Sequence, residues 1–144
     1  MRHSLYLISL VLVTAAAGAA PLADLRANDP FATPEILPVD RAFRVDSMQD
    51  DGEVRVRWQM PKGYYLYRHA FDVRAGNSDT SLPFRVPEGR HKVDEYFGEV
   101  EVYFDEVEVG IPLPEAGEIS VRYQGCAEAG YCYPPQTRTI AVGN

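Results

Sequence analysis

Val54-Arg55-Val56-Arg57-Trp58-Gln59-Met60 sets its apolar side chains two residues apart, with Arg55, Arg57 and Gln59 between them. A period of two marks a strand with one face buried and the other wet. The same alternation recurs at Phe43 and Val45, at Phe71 and Val73, at Val100, Val102 and Phe104, at Val107, Val109 and Ile111, and at Ile119, Val121 and Tyr123. Turn formers separate these runs: Asp50-Asp51-Gly52, Pro61-Lys62-Gly63, Pro87-Glu88-Gly89 and Pro114-Glu115-Ala116-Gly117. No stretch carries a helical stripe. About seven to nine short strands at this spacing predict an all-β, antiparallel two-sheet sandwich with Greek-key connections, a small barrel being the other closed arrangement.

N-terminal to the strands the composition changes. Met1-Arg2-His3 leads into the apolar run of Leu5, Tyr6, Leu7, Ile8, Leu10, Val11, Leu12 and Val13, followed by Ala15-Ala16-Ala17-Gly18-Ala19-Ala20. A basic tip, a short apolar stretch and an Ala-x-Ala site are the three parts of a secretory signal peptide, here read as residues 1–19. Residues 20–38 bear Pro and Ala with scattered charge and no periodicity, as in an extended arm, with Phe31, Ile36 and Leu37 available to dock it. The folded domain is expected over residues 39–144. Formal charge is −7, from 14 basic and 21 acidic side chains, and losing Arg2 with the leader makes it more negative. An acidic domain without clustered Lys and Arg repels phosphate, so nucleic acid is not an expected partner.

Two cysteines in an exported chain point to one disulfide. Cys126 and Cys132 flank the bend Ala127-Glu128-Ala129-Gly130-Tyr131. If the flanking segments pair as antiparallel strands, their Cα atoms fall within the roughly 4.4–6.8 Å that a disulfide tolerates. So short a loop makes a weak staple, worth about 2.4 kcal/mol by chain entropy against about 4.7 for a hundred-residue loop. Spacing alone leaves both a structural bridge and an exchangeable pair open.

Residues 123–137, Tyr-Gln-Gly-Cys-Ala-Glu-Ala-Gly-Tyr-Cys-Tyr-Pro-Pro-Gln-Thr, resemble the active-site hairpin of the N-terminal periplasmic domains of DsbD-type thiol:disulfide interchange proteins. Lys62-Gly63-Tyr64-Tyr65-Leu66-Tyr67-Arg68 and Asp94-Glu95-Tyr96-Phe97-Gly98 resemble a strand and the cap loop of the same family. The likeness runs in order from about residue 31 to the end. It implies an immunoglobulin-like fold and a thiol:disulfide oxidoreductase, a protein-disulfide reductase, whose redox centre is its own reversible Cys126–Cys132 disulfide. The implied electron donor is a membrane-embedded DsbD-type reductase with its thioredoxin-like domain. The implied acceptors are periplasmic disulfide isomerases and the thioredoxin-like proteins of cytochrome c maturation.

By matched position Cys132 takes the partner-linked role and Cys126 the resolving one. Asp94 and Glu95 lie near the sulfurs to manage protons, Tyr65 and Tyr67 line the surroundings, and an aromatic ring of the cap shields the disulfide. The family order there is Phe-Tyr and this chain has Tyr96-Phe97, so which ring does the covering stays open. No Lys, Arg or His adjoins either cysteine in sequence, which predicts sluggish thiols until a partner docks.

Other chemistries find no foothold. His69 and His91 lack metal-ligand spacing, so no metal is expected and no cofactor beyond the disulfide. Glu99 with Glu101, and Glu106 with Glu108, read as the wet faces of strands. There is no nucleophile elbow, phosphate loop or dinucleotide fingerprint. The alternative function is a secreted ligand-binding or adhesion sandwich whose disulfide is purely structural.

Overall fold

Val54, Val56 and Trp58 all sit at zero exposure, on the strand that the alternation predicts. A computed structural model describes residues 35–50, 52–76, 78–113 and 117–143. The expected leader and the arm as far as residue 34 lie outside these residues. In chain order the elements are α1 (Val39–Ala42), β1 (Arg44–Asp50), β2 (Glu53–Gln59), β3 (Tyr64–Tyr67), a 3-10 turn (Arg68–Ala70), β4 (Asp72–Ala75), β5 (Arg90–Asp94), β6 (Gly98–Phe104), β7 (Glu106–Pro112), β8 (Gly117–Tyr123), β9 (Gly125–Ala127), β10 (Tyr131–Cys132) and β11 (Gln136–Val142).

All pairings are antiparallel and form three ladders: β1-β2-β7, β11-β8-β4 and the five-stranded β10-β9-β3-β6-β5. The first two supply the expected sandwich. Register sets Val54 opposite Ile111, Val56 opposite Val109 and Trp58 opposite Val107, while Val73 faces Val121 in the other ladder. Ile119, Val121 and Tyr123 of β8 join these residues in one core, where Trp58 meets Phe71 and Tyr123 edge-on at 5.1 and 5.4 Å. Edge-on packing suits the ring quadrupoles. The fold is the immunoglobulin-like all-β sandwich expected, with a third ladder carrying the site.

That third ladder is wet on neither face at its centre. All four residues of β3 are buried, so the pleat sends Tyr64 and Leu66 into the main core and Tyr65 and Tyr67 into a second, smaller cluster with Val102 and Cys126. Phe43, placed by sequence on a strand, instead ends α1 and contacts Tyr64, Tyr123 and Tyr133 edge-on or nearly so. Ile36 and Leu37 of the arm pack on the core, and the Leu37 amide donates to the Tyr64 hydroxyl at 2.9 Å.

β9 approaches β3 closely. A Cβ on Gly125 would collide with the Tyr65 carbonyl oxygen and lie 2.7 Å from Phe43 Cζ and 2.8 Å from Leu66 Cδ2. Two of these contacts are rigid, a backbone oxygen and a buried ring, so neither yields cheaply. Gly125→Ala should therefore destabilise the domain by about 1–3 kcal/mol. Urea unfolding followed by Trp58 fluorescence measures this, and an unchanged midpoint would contradict the close approach.

Candidate redox site

β9 and β10 are the two arms of the cysteine hairpin, turned through residues 128–130 with Gly130 at φ 87°, a conformation that glycine adopts without steric cost. Register sets Cys126 opposite Cys132. The Tyr133 amide bonds the Gly125 carbonyl at 3.0 Å, which makes the cysteines a non-hydrogen-bonded pair, the narrower of the two antiparallel spacings. Their Cα atoms stand 4.0 Å apart, just below the range expected from sequence, and the sulfurs are bonded. Pairing of β9 with β3 sets Cys126 opposite Tyr65, and Tyr65 in turn faces Phe104 of β6. Cys132, Cys126, Tyr65 and Phe104 thus form one row across the outer face of the sheet.

The two sulfurs differ in access. Cys126 is 1% exposed, whereas Cys132 is half-buried and borders a shallow depression with Tyr65, Lys92, Asp94 and Tyr96. An attacking thiolate reaches Cys132 first.

Asp94, the last residue of β5, is the buried charge of the site at 5% exposure. Its Oδ2 accepts hydrogen bonds from the Tyr65 and Tyr67 hydroxyls, both at 2.8 Å, and Oδ1 accepts from the amides of Tyr96 and Phe97 at 2.9 and 3.2 Å. Burial alone would raise its pKa. The four donated hydrogen bonds outweigh burial and hold the carboxyl below its ordinary value. Burial is likewise the main cause that pushes Tyr65 up to about 12 and Tyr67 higher still, so both phenols stay protonated. With its single proton directed at Asp94, the Tyr67 oxygen lies 3.2 Å from Cys126 Sγ and 3.9 Å from Cys132 Sγ. Asp94 and Cys126 are therefore joined through one hydroxyl.

The cap residues divide. Tyr96, 58% exposed, leans toward the hairpin with its hydroxyl 3.5 Å from the Gly130 carbonyl, at the limit of a hydrogen bond. Phe97, 49% exposed, stacks edge-on over Tyr67 with centroids 5.0 Å apart. Glu95, the second carboxylate expected near the sulfurs, is exposed. Two residues escaped the sequence reading. Lys92 sits over the Tyr65 ring at 5.1 Å on the same face of β5 as Asp94, and His69 packs against both Tyr67 and Phe97. Lys92 brings to the Cys132 depression a cation that neither cysteine has beside it in sequence. Among the described residues no group of three or more His, Cys, Asp or Glu side chains is placed to hold a metal ion.

Asp94→Asn replaces an acceptor of four bonds by an amide, one side of which can only donate, so at least two donors lose their partner. Hydrogen bonds to a charged group are worth about 1.5–3 kcal/mol each, and a loss of at least about 2 kcal/mol is expected at pH 7. A carboxyl whose folded pKa is depressed adds stability above its unfolded value of about 3.9 and loses it as pH falls through the folded one. The gap between wild type and variant should narrow on acidification from pH 7 to pH 3 in urea titrations. A gap that stays constant would remove the ionised Asp94 from this account.

The family profile for the thiol:disulfide interchange protein DsbD, N-terminal, matches residues 33–144. DsbD of Yersinia enterocolitica is 42% identical over 109 residues, covering 74% of this chain and 19% of that protein. DsbD 2 of Pseudomonas aeruginosa is 39% identical over 140 residues, covering 96% of this chain and 24% of that protein. The chain thus spans about a fifth to a quarter of the length of these relatives. The reduced DsbD N-terminal domain of Neisseria meningitidis superposes with a TM-score of 0.68 at 32% identity, covering 76% of this chain and 90% of that one. The same domain in complex with the PilB N-terminal domain gives 0.65 at 33%, with the same coverage. With a profile match over most of its length and a hairpin, strand and cap loop assembled around one disulfide, the chain belongs to the family of DsbD N-terminal domains.

Proposed function

We propose that the chain is a periplasmic relay domain, a protein-disulfide reductase in which Cys126 and Cys132 carry two electrons from a membrane-embedded DsbD-type reductase to disulfide isomerases and cytochrome c maturation thioredoxins. The observation that carries this reading is the asymmetry of the pair, one sulfur reachable and the other buried against Tyr67. In the oxidised domain a thiolate of the donor's thioredoxin-like domain attacks Cys132 Sγ. The Cys126–Cys132 bond breaks, Cys126 leaves with the electron pair, and a mixed disulfide forms at Cys132. The donor's second thiolate then attacks its own sulfur in that bond and expels Cys132. The donor ends as a disulfide, and the domain has gained two electrons and two protons.

Delivery reverses these steps. Cys132 attacks the acceptor disulfide, and Cys126 resolves the mixed disulfide by attacking Cys132. Tyr67 serves Cys126 in both directions. Its oxygen accepts the S–H of the reduced thiol, and its hydroxyl can turn from Asp94 to a thiolate as charge develops on sulfur. The ionised Asp94 holds the phenol ready and disfavours a resting thiolate by like-charge repulsion, so Cys126 is nucleophilic only once attack has begun. Tyr96 and Phe97 shield the sulfurs between encounters. The PilB complex of the Neisseria relative supports a partner docking on the domain, and the basic tip and apolar run of residues 1–13 support export through a cleaved leader.

Single-cysteine variants separate the roles. Cys126→Ser leaves the reachable sulfur and should form mixed disulfides roughly tenfold or more faster than Cys132→Ser, which retains only the buried one. Trapping with a thioredoxin-like dithiol partner reads this, and equal rates would discard the assignment. The reduction potential of the pair, read by thiol trapping in dithiothreitol buffers, should lie above about −300 mV. A lower value would make the bond a staple and favour a ligand-binding sandwich instead.

A further inference from the structure

Three rings meet under the cap. Tyr67 and Phe97 have centroids 5.0 Å apart at 74°, His69 and Phe97 5.1 Å at 62°, and Tyr67 and His69 5.2 Å at 37°. The rings have different mounts. Tyr67 is buried in β3 and bonded to Asp94. Phe97 is half exposed and belongs to the loop between β5 and β6. His69 is exposed, yet it rides on the 3-10 turn that directly continues β3, so the sheet rather than the cap fixes its position. Among the described residues, Tyr67 and His69 are the aromatic neighbours of Phe97.

An imidazolium within about 6 Å of ring centroids is held by their quadrupoles, and a neutral imidazole is held less. We infer that His69 is a positioning residue for the cap, which keeps Phe97 over Tyr67 more firmly when protonated and eases access to the disulfide on losing its proton. The inference rests on the exchange reading above.

The surrounding charges leave this balance to His69. On its own turn Arg68 is paired with Glu101 of β6 at 3.3 Å, and across a second depression, separate from that at Cys132 and bordered by His69 and Phe97, Arg85 is paired with Glu53. On the other side Asp72 of β4 is held by Arg74 at 2.7 Å, with Arg122 of β8 nearby. Glu99 of β6 and Asp94 behind Tyr67 add negative charge. His91 of β5 borders the same depression and is the competing titratable group. Asp94, held below the ordinary carboxylate range, and the two raised phenols keep their protonation from pH 5.5 to 8.

The test is reduction of the oxidised chain by dithiothreitol from pH 5.5 to 8, each rate divided by the thiolate fraction of the reagent. The corrected rate of the wild type should rise about two- to five-fold across this interval. His91→Gln should keep that rise. His69→Gln should lose it and run at the faster value throughout, and His69→Phe, which keeps a ring without a proton, should be flat. A rise that survives in His69→Gln, vanishes in His91→Gln or is missing from the wild type overturns the role of His69. A disulfide that dithiothreitol fails to reduce at any pH overturns the exchange reading itself.

Discussion

β3 is buried on both faces, and a strand so placed forces the rest of the architecture to supply two covers. One cover is the sandwich core, which receives Tyr64 and Leu66. The other has to enclose Tyr65 and Tyr67, whose hydroxyls need partners when they leave water. A single carboxylate satisfies both. Asp94 belongs to β5, two strands away, so the bond that satisfies the phenols also fixes the edge of the sheet over its outer face.

The same carboxylate sets where the cap begins. Its second oxygen binds the amides of Tyr96 and Phe97, two and three residues on, so the chain turns back over the site instead of running into solvent. Side-chain acceptance of nearby amides is a common way to start a turn. Here it ties the loop of Tyr96 and Phe97 to the buried carboxylate beneath it. The ledge that carries the cysteines is fixed from the opposite direction, by Gly125 passing close to the Tyr65 carbonyl. Site and fold therefore share their constraints.

Legibility in the sequence follows from which faces are wet. β2 and β7 each have one wet face, and their alternation is plain at Val54, Val56 and Trp58 and at Val107, Val109 and Ile111. The run Tyr64-Tyr65-Leu66-Tyr67 has no alternation to show, since both its faces are dry, and it was readable as a strand only through family likeness. β5 is obscure for the opposite reason. Val93 is 80% exposed, while Arg90 and Lys92 set their charged ends over the rings of Phe104 and Tyr65, so charge marks the face that carries the site and an aliphatic side chain the opposite one. The disulfide was legible because hairpin spacing constrains it locally. The contacts of His69 were not, since residues 69 and 97 meet only after β3 and β6 have paired.

For the exchange proposed, the arrangement reconciles protection with reaction. A disulfide that must ignore stray thiols yet accept one partner needs a barrier that docking removes and a leaving group that is stabilised only afterwards. Burial of Cys126 serves the first need, since an encounter thiolate finds only Cys132, in a depression that Tyr96 borders. The Tyr67 hydroxyl serves the second. In the closed oxidised state its proton is engaged with Asp94, so sulfur receives no donated hydrogen bond and gains nothing in advance. Charge appearing on Cys126 competes for that proton, and the hydroxyl needs only to reorient over the 3.2 Å contact that already exists. Stabilisation therefore rises with the extent of bond breaking, which is the condition for speeding a reaction without making its resting state reactive.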